Sequence, residues 1–549
     1  MVVSLMKTTL HRFLPWGTVL ILLVVCPWNL MGKAPNILVA ISDDQSWTTT
    51  SISGNEMVRT PAFDGVARRG VLFTQAICGS PGCSPSRASL LTGRHTWMIE
   101  GGGTHASDFP VKYTTFTDLL EASGYYVGYT GKGWGPGNWR INGRKRNPAG
   151  PAFSEKASSE SGLSSYVSSF NAFLKSLDSE GDRPFLFWFG SHDPHRGFEK
   201  GSGLKAGKNP EAAKVPEFLP DTPEIRSDLL DYALEVERFD RDLGAMLKIL
   251  EDRGELSDTL VIVTSDNGMA FPRAKANCYE YGIHVPLAIS WPGNIPEGRK
   301  IDDPVGFVDL TATILEAAGV PIPAASGMTG ISLMPMLRSS AQGIVEMGRR
   351  SVYSARERHS SSRFNSLGYP QRCIRTGQYL YIINFKPERW PAGPSSKLRS
   401  PIFDDLGLLV AGGPGPDHDA YHDIDACPTL DFMIANRHID EIGGFLQLSV
   451  GLRPGEELFD IVNDPACLHN LADEPEWQTI RSQLRMRLWN YLQETGDPRV
   501  TGNGDIWESY PRYSPLRWFE PPSWARDSPE QVPEMPWLEE RRPRRNKNQ

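Results

Sequence analysis

Three absences narrow the function of this chain. The first is an excess of basic residues: 57 Lys and Arg stand against 65 Asp and Glu, a formal net charge of −8, where a nucleic-acid-binding chain favours a basic domain. That global sign leaves an anionic substrate open, because a local cation cluster and a bound metal can outweigh it. The second is any C-x-x-C spacing among the seven cysteines, Cys26, Cys78, Cys83, Cys278, Cys373, Cys427 and Cys467, which argues against a zinc site or a thioredoxin-like motif. The third is an N-terminal apolar run long enough to span a bilayer. Phe13 to Val25 gives about 13 residues behind Lys7, His11 and Arg12, and Pro27 ends it, whereas a spanning helix needs roughly 20. The pattern reads as an export signal over 1–32, with an uncleaved membrane anchor as the alternative. Cys26 is a poor lipoprotein site because Val25 before it is bulky. An exported protein leaves room for one or two disulfides, with pairing unreadable.

What is present suggests two or three structural units in 549 residues of ordinary globular composition, 40% hydrophobic and 22% charged. Asn36 to Ser42 is a continuous apolar run of strand length, as a central parallel strand buried on both faces requires. Similar runs occur at Tyr125 to Tyr129, Pro184 to Phe189 and Thr259 to Thr264. Before the last of these lies a helix candidate with Thr222 as cap, Pro223 in the first turn and Gly254 at its end. Alternating strands and helices predict an α/β domain with a mostly parallel central sheet over 33–347. From about Gly348 short strand-like pieces such as Tyr379 to Phe385, then a helix near Glu476 to Gln493, predict a smaller α+β subdomain over 348–498. Gly412 to Asp425 reads as a surface loop. The Pro-, Trp- and Arg-rich tail, 499–549, reads as packing across the surface before a disordered basic end.

All four strand candidates end in polar residues, where open α/β sheets place their sites. Asp43 and Asp44 follow the first, Gly131-Lys132-Gly133 the second, Ser191-His192-Asp193-Pro194-His195-Arg196 the third, and Ser265-Asp266-Asn267-Gly268 the fourth. Each is weak alone, since Asp pairs cap helices and Asp-Asn-Gly is a common turn sequence. Together, Asp43, Asp44, Asp266 and the amide oxygen of Asn267 make a hard, all-oxygen site for Ca²⁺ or Mg²⁺ with no soft ligand to favour zinc. Between the first two strands, Cys83-Ser84-Pro85-Ser86-Arg87 opens a short helical stretch. Its start suits an anion, and Arg87 lies one turn further on. Lys132 can contact the same anion, and Lys275 or His192 can protonate a leaving group. As a bare cysteine, Cys83 would be a small buried residue in a Ser-rich turn, and Lys275 a solvated loop lysine.

The run from Cys83 to Gly93 resembles the C-x-P-x-R element of the type I sulfatases, in the alkaline-phosphatase-like superfamily. Ser42-Asp43-Asp44 and Asp258 to Gly268, continuing to Phe271-Pro272, also match that family in order. His192-Asp193-Pro194-His195-Arg196 points to its N-sulfoglucosamine sulfohydrolase (heparan N-sulfatase) branch. Late matches at Tyr369-Pro370-Gln371-Arg372 and Glu494-Thr495-Gly496-Asp497-Pro498 carry the likeness over most of the chain. The resemblance implies that a maturation enzyme converts Cys83 to formylglycine, whose hydrated aldehyde attacks sulfur and also binds the metal. It implies Ca²⁺ on Asp43, Asp44, Asp266 and Asn267. Arg87 and Lys132 would hold nucleophile and sulfate, with His192 and Lys275 on the leaving-group side. The implied substrate is a sulfated saccharide, cleaved at an N–S or an O–S bond.

One position departs from the family. Trp134 stands two residues after Lys132, where a histidine usually serves as base for sulfate elimination, and indole does no acid–base work at neutral pH. His195 is the candidate replacement. A phosphoester or phosphonate hydrolase on the same superfold, or a sulfated-glycan binder without turnover, remains an alternative.

Overall fold

Strand β1, Asn36–Ser42, forms where that apolar run was found, and every residue after Asn36 is buried. Around it stand β2, Gly70–Ile77; β3, Tyr126–Gly131; β4, Phe185–Gly190; β5, Thr259–Ser265; β6, His284–Ser290; β7, Arg299–Ile301; and β8, Val305–Gly306. The computed structural model describes residues 34–156, 163–395, 402–403, 409–411 and 420–541. The export segment lies outside them; among the described residues no helix is long and apolar enough to cross a membrane. From Pro35 onward the chain forms one unit.

The sheet order is β3-β4-β1-β5-β6-β2-β7, with β8 beside β2. The pairs β3/β4, β4/β1 and β1/β5 are parallel, and only β6 runs against its neighbours β5 and β2. The four strands foreseen from sequence are therefore contiguous, with their carboxyl ends on one edge. The strand β2, antiparallel to β6, points the same way and brings its own carboxyl end to that edge. The helix Pro223–Asp252 joins two cores. Ile225, Leu229, Ala233 and Val236 pack with Met269 and Phe271, while Phe239, Leu243 and Leu250 pack with β1, β4 and β5 residues. Thr222 caps it and Gly254, with φ +69°, follows its end.

A second, antiparallel sheet is built from β9, Val352–Arg356; β10, Gln371–Arg375; β11, Tyr379–Asn384; and Glu456–Asp460, in reverse order of mention. The helix Gln478–Glu494 covers it with Leu484, Leu488 and Leu492. Two expectations need correction. The tail does not merely run over the surface: Trp507 joins this core, and Glu508 is buried on Arg389. The stretch ending at Asp425 is not all surface loop, since Asp423 is buried between Arg356 and Arg363. No disulfide forms among the described cysteines; all six are free and buried. The last eight residues lie outside the description.

The two late motifs meet each other. Arg372 on β10 donates from Nε to Asp497 Oδ2 at 2.6 Å and from Nη2 to Asp497 Oδ1 at 3.1 Å, and it also reaches Glu357 at 2.8 Å. Both Arg372 and Asp497 are fully buried. Such a pair, once formed in a dry place, is costly to break, because the survivor is left as a lone buried charge. Arg372→Ala should lower stability by about 3–5 kcal/mol, read as a drop in the urea unfolding midpoint; an unchanged midpoint would show that the pair carries no weight.

Candidate functional site

Register brings the polar strand ends together. Ser42 of β1 lies opposite Ser265 of β5, so Asp43-Asp44 and Asp266-Asn267 leave the sheet in step. On the other side Ile41 pairs with Gly190 of β4, and Gly190 with Gly131 of β3. This aligns Ser191-His192 and Lys132 with the same point. Two glycines permit the close approach: a Cβ at Gly190 would sit 1.9 Å from Lys132 O, and one at Gly268 1.9 Å from Tyr281 O. Asp44 takes a left-handed backbone, φ +75°, which aspartate tolerates better than most residues. Its N–H is held at 3.1 Å by Asp266 Oδ1.

Cys83 begins the helix Cys83–Thr92, all ten residues of which are buried, with Gly82 extended before it. The side-chain ligand atoms of Asp43, Asp44 and Cys83 lie within 4.8 Å of one another. Arg87 donates from Nε to Asp266 Oδ2 at 2.7 Å and from Nη1 to Lys132 O at 2.7 Å. Lys132 Nζ pairs with Asp43 Oδ2. Lys275 is not a solvated loop lysine: it is buried, and its Nζ bridges Asp44 Oδ2 and Asp425 Oδ2, each at 2.7 Å. His192 is exposed and His195 half-exposed. Both line a cleft of about 760 Å³ together with Asp43, Lys132 and Trp134.

The charges explain the titration behaviour. Burial, reinforced by Asp43 and Asp44, pushes Asp266 up to about 6 against the pull of Arg87 and Lys132. Burial acts the same way on Asp43, but Lys132, His195 and Arg87 override it and hold that carboxyl far below its usual range. Burial would lower Lys275, yet Asp425 and Asp44 raise it well above a free lysine, so it is a fixed cation. Burial pushes the Cys83 thiol far up, despite Lys132 and Lys275. A thiol so disfavoured as thiolate is a poor nucleophile, so this position serves sulfur chemistry badly in its unmodified form.

A hard divalent cation fits these residues. Asp43 Oδ1 and Asn267 Oδ1 are buried acceptors without a donor, where buried polar atoms are otherwise nearly always satisfied. With Asp44 and Asp266 they form an oxygen-only donor set. The sequence reading missed Asp425, which brings a further carboxylate against Lys275. It also missed His105 and His359, whose rings lie 4.6 Å apart and of which His359 abuts Gly82. No motif marks them; Asp425 sits at the end of a loop-like stretch, and each histidine is isolated in sequence. Trp134 is buried edge-on against Phe109, 5.2 Å between centroids.

The chain is similar to several known proteins. A family model described as "Sulfatase" matches residues 35–320, and one described as "N-sulphoglucosamine sulphohydrolase, C-terminal" matches 273–390. Human N-sulphoglucosamine sulphohydrolase is 29% identical over 525 residues, covering 88% of this chain and 95% of the relative. An ulvan-active sulfatase of Formosa agariphila is 26% identical over 481 residues, covering 85% and 82%. Among solved structures, BT4656 in complex with its substrate D-glucosamine-2-N,6-O-disulfate shares the fold at a TM-score of 0.59 and 18% identity, covering 85% of this chain and 99% of that one.

If the carboxylates hold a cation, Ca²⁺ at about 100 times its Kd should stabilise the protein by about 2.7 kcal/mol, seen as a raised melting temperature. Asp44→Asn protein, whatever its own melting temperature, should lose most of that shift. An equal shift in both proteins would place the cation elsewhere.

Proposed function

The chain belongs to the sulfatase family, hydrolases of sulfate esters and sulfamates, and from that premise we propose that it removes N-linked sulfate from glucosamine in a sulfated saccharide, with Cys83 as the nucleophile position. The observation that carries the reading is the meeting of Cys83 with the buried acceptors of Asp43, Asp44, Asp266 and Asn267 and with three cations, Arg87, Lys132 and Lys275. The N-sulfate choice is supported by the His192-to-Arg196 stretch and by the human relative. Release of O-linked sulfate from a polysaccharide is the second reading, favoured by the Formosa relative.

Formylglycine made from Cys83 by a maturation enzyme would supply a hydrated-aldehyde nucleophile, which the unreactive thiol does not. Ca²⁺, held by Asp43, Asp44, Asp266 and Asn267 together with the modified residue 83, would supply charge that draws sulfate oxygens and acidifies the nucleophile. The remaining work falls to side chains of the chain itself. Arg87 fixes Asp266 and reaches back to the Lys132 carbonyl, so the acceptors and the cation of β3 are held as one piece. Lys132 faces the cleft and orients sulfate. Lys275 stays protonated between two carboxylates, so it stabilises charge and gives no proton.

Proton delivery then belongs to His192, on the open side of the cleft. Although its surface is open to solvent, desolvation at the cleft wall, and then Lys132, hold it below the ordinary histidine range, so its acid form is favoured only in acidic solution. His195 donates from Nδ1 to the Arg196 carbonyl at 3.0 Å and places Nε2 3.9 Å from Asp44 Oδ2. It is the imidazole suited to the proton-accepting role that Trp134 cannot take. The charged start and apolar run before Ala34 support export of the protein.

Two tests follow. Cys83→Ala should abolish sulfate release, and the Cys83 peptide from active protein should show the loss of thiol mass; release by the alanine variant overturns the mechanism. Assays on N-sulfated against 6-O-sulfated glucosamine separate the two substrate readings. A general acid must be protonated, so kcat should be highest at acidic pH and fall as pH rises, with its limb below the ordinary histidine range. His192→Gln should flatten that limb, and His195→Gln should lower kcat by about 100-fold. A limb unaffected by the His192 change assigns the acid to another group.

A further inference from the structure

Away from the cleft, a second cavity of about 520 Å³ opens between the two sheets. It shares no lining residue with the cleft. Two of its lining residues flank Cys83 in the chain: Gly79, four residues before it, and Ser89, six residues along its helix, about 9 Å at 1.5 Å per residue. The size suits one or two sugar units. Three guanidinium groups, Arg349, Arg350 and Arg487, lie in its wall, with Asp309 as the one carboxylate.

Asp309 is already spent. It accepts from Arg349 Nη1 at 2.8 Å, from Gly306 N at 2.9 Å and from Ile331 N at 2.8 Å. Arg349 is thereby committed as well, with a further bond to the Ile331 carbonyl. Arg350 and Arg487 are different. Arg350 donates Nε to the Met347 carbonyl at 3.0 Å, and Arg487 donates Nη2 to Ser351 Oγ at 3.0 Å. Among the described residues neither is paired with a carboxylate; both are exposed at the rim and keep donors for a ligand. The first turn of Phe307–Ala317, eleven residues long, also borders the cavity and adds the positive end of its dipole.

The rest of the wall is neutral, with Phe307, Tyr353 and Tyr491 among small and aliphatic residues. Tyr353 and Tyr491 stack at 3.9 Å with their planes 3° apart. Tyr491 OH meets His95 Nε2 at 2.8 Å, and burial holds His95 down to about 3, so it adds no charge at neutral pH. Two guanidinium groups with donors to spare, beside aromatic side chains, match a tetrahedral oxyanion carried on a sugar ring.

We propose that this cavity binds a sulfate group of a saccharide at a site separate from the one where sulfate is removed, with Arg350 and Arg487 as the anion-holding residues. The saccharide part rests on the proposed substrate class; the oxyanion site does not.

The test is isothermal titration of the full chain with inorganic sulfate and, separately, a fully sulfated heparin tetrasaccharide. An Arg350→Ala/Arg487→Ala double variant should bind both about tenfold more weakly at one class of site. Its hydrolysis of a small aryl sulfate and its melting temperature should stay unchanged, since both arginines are exposed. Arg350→Lys/Arg487→Lys should recover part of the binding, and Lys132→Ala should keep this class while losing the other. Loss for inorganic sulfate alone supports the oxyanion site and overturns its saccharide occupant. Binding of both probes as in the unaltered protein overturns the site. The readout needs no turnover, so a chain inactive on every sulfated substrate still tests the cavity.

Discussion

Three carboxylates forced into one dry place set the terms for everything around them. Adjacent parallel strands in matched register cannot avoid delivering Asp43, Asp44 and Asp266 to the same point. In a low-dielectric interior their repulsion is severe unless opposite charge is brought just as close. Arg87, Lys132 and Lys275 each arrive from a different segment to meet one of them. The cost of the cluster is thus spread over the helix of Cys83, the end of β3 and the loop after β5, and those segments are locked to each other in return. The same crowding that would destabilise an ordinary core makes this one hungry for cations and for the oxygen atoms of an anion beyond them.

That logic also explains which parts could be read in the sequence. Asn36 to Ser42 and the three similar runs were legible because a strand buried on both faces leaves no polar residue to blur it. The residues just after them were legible because strand ends carry the polar groups. Strand β2, the antiparallel β6 and the short β7 and β8 went unnoticed, being less uniformly apolar or too brief to show a period. In the site, Asp43, Asp44, Asp266 and Asn267 were visible as strand-end pairs. Asp425, His105 and His359 were not, because their place depends on how distant loops fold back, which no local pattern records.

The second half of the chain shows how far tertiary contacts override composition. The segment around Asp423 reads as a loop by its glycines, prolines and aspartates, yet Asp423 neutralises Arg356 and Arg363 in the interior. The tail beyond Asp497 reads as a surface wrap, yet Trp507 and Glu508 complete a core. In both cases one acidic residue is drawn inward by guanidinium groups that would otherwise be buried alone. The two late stretches that resembled the family, around Arg372 and Asp497, turn out to be partners in one such pair.

The burial of Cys83 has a consequence for timing. Only 1% of it is accessible in the finished fold, and the carboxylate that clasps the neighbouring Lys275 comes from residue 425. A maturation enzyme of the kind proposed, itself a macromolecule, has no path to that side chain once the fold has closed. Its opportunity would fall before the fold closes, while the segments from 420 to 508 have not yet packed. Slower closure of the late core would lengthen that opportunity and faster closure shorten it. The fraction of molecules able to react would then be decided by a race between modification and folding.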